Sequence, residues 1–396
     1  MRGLGHARKG AAALAAALLL LSLLMLSMLE TSPMTPSPYN TYTLQALAWR
    51  KGQAFLDGDV PHLELAIYQG RYFVSFPPVP SVPVFLMTFL FGSNVPDGLL
   101  NLLYGLLALL VAYRLLLRKG FPAPSAAFWA FAGCFSSSLL PLLWSGAVWY
   151  QAQVLAFLLI LCAVERMDAD RPVCGLLFYA LSVGCRPFNA LYGPLLLLLY
   201  MKERAGRGHC LKSSLLRLLP GILLGLFVAL TYAAYNWHRF DNPFEFGHSH
   251  LPEFSFQGGT QFSIRHLGKN IREYVFSLPF DPSGGALRLK KFGFSLFLAN
   301  PLLLLLPLWA LRDALKRAFS LKQAAVLAFF FTHLFFLLLH RTFGGYQYGA
   351  RYAADLLPYA LLYLAAGERK KPAWPEIVLM LLGFALAVWG SLAIRL

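Results

Sequence analysis

Of the 396 residues, 58% are hydrophobic and 13% charged, with a mean hydropathy of +0.58. Soluble domains carry about twice that charged fraction, so a soluble enzyme is excluded and the chain reads as a polytopic membrane protein. The net charge of +16 invites a nucleic-acid reading, which the placement of the basic residues removes. They sort into alternate short loops: Arg2, Arg8 and Lys9; Arg114, Arg118 and Lys119; Arg166 and Arg171; Lys202 to Arg217; Arg312 to Lys322; Arg369 to Lys371. This is the positive-inside pattern, which puts the N-terminus in the cytoplasm and leaves no nucleic-acid partner to expect.

The run AAALAAALLLLSLLMLSML is longer than a secretory h-region and no small-x-small cleavage pattern follows it. An uncleaved first span over about 11–29 is predicted, delivering residues 30–97 outside as a first extracytoplasmic loop. There, TLQALAWRKGQAFL predicts a short interfacial helix with Leu44, Leu47, Ala48 and Phe55 toward lipid. SVPVFLMTFLFG is too short to span and predicts a second surface helix.

Between them stands LDGDVPHLELAIYQGRYFVSFPPVPS. Gln69-Gly70 between β-branched and aromatic arms predicts a tight hairpin. Pro77, Pro78 and Pro80 then end the pairing, because proline cannot donate to a ladder. Asp57, Asp59 and Glu64 precede the hairpin and are candidate general bases; Asp57 and Asp59 equally suit a turn. Arg71, on the second arm, is a candidate substrate contact.

Spans follow at about 98–117, 124–143 and 147–164, the last two flanking WSGAVWYQAQ, whose Trp149, Gln151 and Gln153 are further candidate ligand contacts or simply face outer water. Residues 173–201 are broken by GCRPFN into two short helices meeting at Arg186 and Pro187, a break tolerated where protein or water satisfies the backbone. An arginine there either clamps phosphate oxygens or snorkels to headgroups. After a span at about 218–236 comes a second extracytoplasmic loop, 237–292, with a Gly-, Phe- and Ser-rich stretch. Its HSHLPE holds His248, His250 and Glu253, but no second cluster supports a metal site, and none is expected. Spans at about 293–311, 323–340, 352–366 and 374–393 bring the total to about eleven in one membrane domain. In HRTFGGYQYGARYAADLLPY, Gly344, Gly345 and Gly349 allow close backbone approach. Arg351 and Asp355, four apart, predict an intrahelical ion pair, with Arg351 alternatively a second phosphate contact. The five cysteines form no disulfide or zinc pattern, and no Walker, GxSxG or HExxH motif occurs.

GRYFVSFPPVPS, SVGCRPFNALYGP and FGGYQYGARYAADLLP, set in this order of span, acidic outer loop and many further spans, resemble the GT-C membrane glycosyltransferases. The nearest branch is that of protein O-mannosyltransferases and lipid A aminoarabinose transferase, and the resemblance covers nearly the whole chain. It implies an all-α GT-C-like bundle in a bacterial inner membrane. The implied donor is a polyprenyl-phosphate-linked sugar, the acceptor an unidentified glycan, lipid or protein, with no cofactor and no metal. In such enzymes the catalytic acid follows the first span, where this chain has Tyr39-Asn40-Thr41-Tyr42. The role then passes to Asp59 first, Glu64 second or Asp57, or is absent, leaving a non-catalytic glycan transporter or scaffold. Arg186 matches the family's donor-phosphate residue by position only.

Overall fold

The computed structural model describes residues 2–255, 260–281, 288–342 and 344–394. Its first half runs α1 (Arg2–Met28), α2 (Thr41–Arg50), β1 (Leu65–Tyr68), β2 (Arg71–Val74), α3 (Ser81–Phe91), α4 (Asp97–Arg118), α5 (Ala123–Phe135), α6 (Val148–Asp168), α7 (Pro172–Val183), α8 (Tyr192–Gly206) and α9 (Leu211–Phe240). Its second half runs α10 (Pro252–Ser255), α11 (Leu267–Ile271), β3 (Phe280–Asp281), β4 (Arg288–Leu289), α12 (Leu296–Ala299), α13 (Pro301–Leu315), α14 (Leu321–Leu339), α15 (Leu357–Ala366) and α16 (Trp374–Ala393). Part of the Gly-, Phe- and Ser-rich stretch (256–259 and 282–287) and Phe343 lie outside the described residues.

Six of the described helices, α1, α4, α6, α9, α14 and α16, are long and apolar enough to cross a bilayer unaided. The remaining segments read above as spans form shorter helices, for reasons visible at their ends. The run read as 124–143 is helical only to Phe135; a 3-10 turn, Leu140–Trp144, follows. Ser138 between them donates from N and Oγ to Asn300 Oδ1 (2.9 and 2.8 Å), which satisfies the interrupted backbone. The predicted break at GCRPFN is present, with a 3-10 turn at Pro187–Leu191 between α7 and α8. Residues 351–356 likewise form a 3-10 turn ahead of α15.

Helix α6 is apolar around its circumference and buried along nearly its whole length, as a helix at the centre of a bundle must be. By contrast α9 leaves Leu219, Leu223, Phe227 and Leu230 exposed, an apolar face suited to lipid. The basic loops gather at one end of the bundle. Arg118 reaches Asp168 (3.3 Å) and Lys322 reaches Glu203 (2.5 Å) there. Lys370 lies over the Phe121 ring, and Tyr113 donates to the carbonyl of Ala7 near the N-terminus (3.4 Å).

At the other end stands the hairpin, paired from Leu65–Val74 to Tyr68–Arg71. Gln69 (φ +49°) and Gly70 (φ +72°) both have positive φ, the twist that suits a two-residue hairpin turn. Helix α2 departs from expectation: it ends at Arg50, and Ala48 is buried against protein, with Leu44 and Leu47 half-buried. Polar side chains decide this. Gln45 Nε2 and Trp49 Nε1 donate to Tyr235 Oη (3.1 and 3.0 Å), and Ser81 donates to Gln45 Oε1 (2.6 Å), turning that face inward. In α3, Val82, Leu86, Phe89 and Leu90 stay exposed, as a surface helix requires.

Candidate functional site

The acids ahead of the hairpin separate into two environments. Asp57 and Asp59 are exposed, and Asp57 pairs with Lys51 at 2.5 Å in a turn. Glu64 is half-buried, and its Oε2 accepts a hydrogen bond from Trp149 Nε1 at 3.0 Å. Ser75 Oγ donates to the Glu64 carbonyl (2.8 Å), so the second arm of the hairpin holds the residue in place. Burial raises the Glu64 carboxyl above the ordinary glutamate range, which the Trp149 hydrogen bond opposes; Glu253 pushes it up and Arg351 pulls it down.

Trp149 opens α6 and joins this acid to the segment after the first span. Tyr39 lies against its ring at 5.2 Å, and the Tyr39 carbonyl accepts from Val148 N (3.1 Å). The hairpin loop therefore brings a carboxylate to the wall formed by the YNTY segment, which carries none of its own.

Arg351 is buried at 6% exposure, its guanidinium 5.7 Å from the Tyr150 ring and 5.4 Å from the Tyr352 ring. Among the described residues its Nε has no hydrogen-bond partner and it makes no ion pair. Arg186 approaches the same Tyr352 ring at 4.7 Å, while its Nε and Nη2 donate to Asp355 Oδ2 (3.0 and 2.8 Å). The expected intrahelical pair of Arg351 and Asp355 is thus not formed. Residues 351–356 coil as a 3-10 turn, which removes the i,i+4 register, and Asp355 pairs across the bundle instead.

Gln153 braces that turn: its Nε2 donates to the Arg351 carbonyl (2.8 Å) and to Asp355 Oδ1 (3.1 Å), while Tyr192 Oη donates to the Asp355 carbonyl (2.7 Å). Behind the turn, Gly349 has φ +58°, and a Cβ there would sit 2.2 Å from Ala299 Cβ. Only glycine fits this approach. Gly344 is similarly closed in by the Gln347 side chain, whereas Gly345 faces open space.

The chain after α9 folds back over the site. His248 is pushed down to about 4, chiefly by burial and then by His340, with Glu245 opposing and Arg186 adding to the depression. His248 packs on Phe254 (5.1 Å), and His250 on Tyr68 (4.7 Å) and Phe240 (5.3 Å). No group of three metal-ligating side chains occurs among the described residues. Arg71 lies apart, over Phe55 at 4.6 Å.

The fold thus assembles Glu64, Arg351, Arg186 and Asp355 around Trp149, Tyr150 and Tyr352. Sequence reasoning named Trp149 as a possible hydrogen-bonding contact and passed over Tyr150 and Tyr352. The only signal was adjacency: WY directly before the Gln151 and Gln153 pair, and Tyr352 directly after Arg351.

No family model and no curated protein sequence matches this chain. Solved structures do. ArnT from Cupriavidus metallidurans bound to undecaprenyl phosphate matches with TM-score 0.56 and 14% identity, over 95% of this chain and 62% of that one. The Archaeoglobus fulgidus oligosaccharyltransferase matches in its apo form with TM-score 0.53 and 17% identity, over 95% of this chain and 55% of that one. The same organism's AglB with an inhibitory peptide and a dolichol-phosphate matches with TM-score 0.54 and 16% identity, over 95% and 56%. This chain spans less than two thirds of the length of each. Its fold is that of the GT-C membrane glycosyltransferases.

Proposed function

We propose that this protein moves a sugar from a polyprenyl-phosphate donor to an acceptor hydroxyl at the outer, hairpin-bearing face of a bacterial cytoplasmic membrane. The observation that carries this reading is one aromatic wall holding both a half-buried carboxylate, Glu64, and a buried arginine with no carboxylate partner among the described residues, Arg351. Glu64 takes the proton of the acceptor hydroxyl as that oxygen attacks the anomeric carbon. The bond from that carbon to the phosphate oxygen breaks, and the lipid phosphate leaves with its charge met by Arg351. Arginine suits this task because its planar fork pairs with two phosphate oxygens at once. Arg186, held by Asp355, sets the position of the Tyr352 ring that both guanidiniums share. That two of the similar structures were captured with dolichol-phosphate and undecaprenyl phosphate supports a lipid phosphate as the donor's leaving group.

The test is sugar transfer by the purified protein in nanodiscs from a labelled undecaprenyl-phosphate sugar. Glu64→Gln is expected to lower the rate by about 100-fold or more, the size of a general-base contribution. Asp59→Asn changes it by no more than about twofold, as exposed substitutions do. The reverse pattern moves the base to the exposed loop. Binding of the donor with no transfer to any acceptor favours a non-catalytic glycan carrier, the reading that the acid-free YNTY segment supports.

A further inference from the structure

Behind the hairpin, between the turn after α2 and the end of α9, lies a cavity of about 310 Å3. Gln53, Phe55, Tyr68, Arg71, Arg239 and Asp241 line it. None of them belongs to the wall that holds Glu64 and Arg351.

The charges around this cavity do not balance. Arg71 is exposed and lies over the Phe55 ring at 4.6 Å, with no ion pair among the described residues. Stacking on a ring fixes the guanidinium plane while leaving its N–H edge to donate. Arg239 is 2% exposed; Nη1 donates to the Val74 carbonyl and Nη2 to Asn236 Oδ1 (both 2.9 Å), and Nε has no partner. Asp241, the lining carboxylate, is already engaged, its Oδ2 accepting from Tyr68 Oη (3.0 Å) and Gln69 Nε2 (3.1 Å). Gln53 Oε1 is buried and accepts nothing. Those two buried atoms are closed off from the cavity; what opens onto it is the N–H edge of Arg71, suited to an anion, and the exposed Asp241 carboxylate, whose Oδ1 suits a hydroxyl. Phe55, Tyr68 and Phe73 supply the apolar lining typical of small-molecule sites.

We infer that this cavity binds an acidic sugar unit, a hydroxylated ring carrying a carboxylate or phosphate, belonging to the glycan that accepts the transferred sugar. The acceptor role rests on the transferase reading above. Along β1, at roughly 3.3 Å per residue, Tyr68 stands about 13 Å from Glu64. A glycan held by one unit behind the hairpin would reach the base with a unit further along its chain.

The experiment is ligand-observed NMR titration of the full chain in phosphatidylcholine nanodiscs with D-glucuronate, D-glucose, glucose 6-phosphate and inorganic phosphate. Glucuronate or glucose 6-phosphate is expected to bind at least about tenfold more tightly than glucose and than inorganic phosphate, as charge-assisted hydrogen bonds and ring contacts act together. Which of the two binds identifies the anion. Arg71→Ala is expected to weaken that binding about tenfold and Arg71→Lys to restore only part of it, since lysine keeps the charge and loses the fork. Glu64→Gln, which removes transfer, leaves it intact. Equal affinity for glucose, equal affinity for inorganic phosphate, or indifference to Arg71→Ala overturns the inference. So does loss of sugar binding in phosphatidylglycerol nanodiscs, which makes the occupant a lipid headgroup. The expected pattern in a protein that shows no transfer keeps the sugar site and overturns its acceptor role.

Discussion

The two ends of the bundle use the same residue types in opposite ways. At the end carrying the basic loops, cations meet carboxylates: Glu165 pairs with Arg114 (2.9 Å) and Arg166 (2.5 Å), Asp168 with Arg118 and Lys119, and Asp170 with Arg204 (3.4 Å) and Arg217 (3.2 Å). Glu203, Asp313 and Glu376 are paired in the same manner. At the hairpin end more of the cations meet rings: Arg50 lies over Phe89, Arg71 over Phe55, Arg239 over Tyr235, and Arg186 and Arg351 over Tyr352, while Arg186 also pairs with Asp355 and Lys51 with Asp57. An ion-paired arginine has its charge answered within the protein. A ring-held arginine keeps its orientation and leaves N–H donors for a ligand.

Asp355 is the carboxylate that pairs with a cation inside the candidate site. Asp355→Asn leaves Arg186 half-buried with its charge unanswered, and loss of one partner of a buried pair costs about 3–5 kcal/mol. Thermal unfolding in detergent should show a fall of several degrees; an unchanged midpoint means that the ring contact alone suffices to hold Arg186.

Arg351→Lys tests a ring-held arginine. It keeps the positive charge and loses both the planar stack and the bidentate fork. Donor affinity is expected to fall about tenfold, read as a rise in the KM for the polyprenyl-phosphate sugar with little loss of stability. An unaltered KM would separate Arg351 from the phosphate.

The raised carboxyl of Glu64 gives a pH signature. A base works only when ionised, so the acid limb of the rate profile lies above the ordinary glutamate range, and activity falls as pH drops through that raised value. Stability runs the other way. The fold favours the protonated carboxyl, so the contribution of Glu64 is complete below the ordinary value and is lost as pH rises through the raised one. Glu64→Gln should therefore gain in unfolding midpoint relative to the parent as pH increases across this window. A difference that does not change with pH contradicts the burial argument.

The smallest effect belongs to the basic end. Arg207 and Glu203 form an i,i+4 pair at 3.2 Å, with Arg207 exposed and Glu203 half-buried and also paired to Lys322. Arg207→Ala is expected to cost less than about 0.5 kcal/mol and to leave transfer unchanged, which a midpoint and a rate measured on one preparation will check.

Much of this was legible in local sequence. Gln69-Gly70 between Tyr- and Phe-bearing arms dictates the hairpin, because the turn needs two positive φ values and the flanking residues favour strands. The break at Arg186-Pro187 follows from proline's missing N–H. The GT-C resemblance rested on short motifs, and the fold agrees with it although identity to the matching structures does not exceed 17%. The choice among Asp57, Asp59 and Glu64 was not legible. All three sit within eight residues, and only contact with Trp149, 85 positions away, sets Glu64 apart. The partner of Asp355 was equally hidden: the local rule pointed to Arg351, and a 3-10 turn gave the pairing to Arg186, 169 positions away.

By itself the sequence determined what depends on near neighbours and on the solvent: a membrane chain, its basic loops, the hairpin, the helix break. Hydropathy and turn chemistry act over a few residues, so they can be read without a fold. Tertiary structure alone decided which carboxylate is drawn from water, which arginine keeps unpaired donors, and which rings hold them. Desolvation and pairing depend on groups far apart in the chain that only packing brings together.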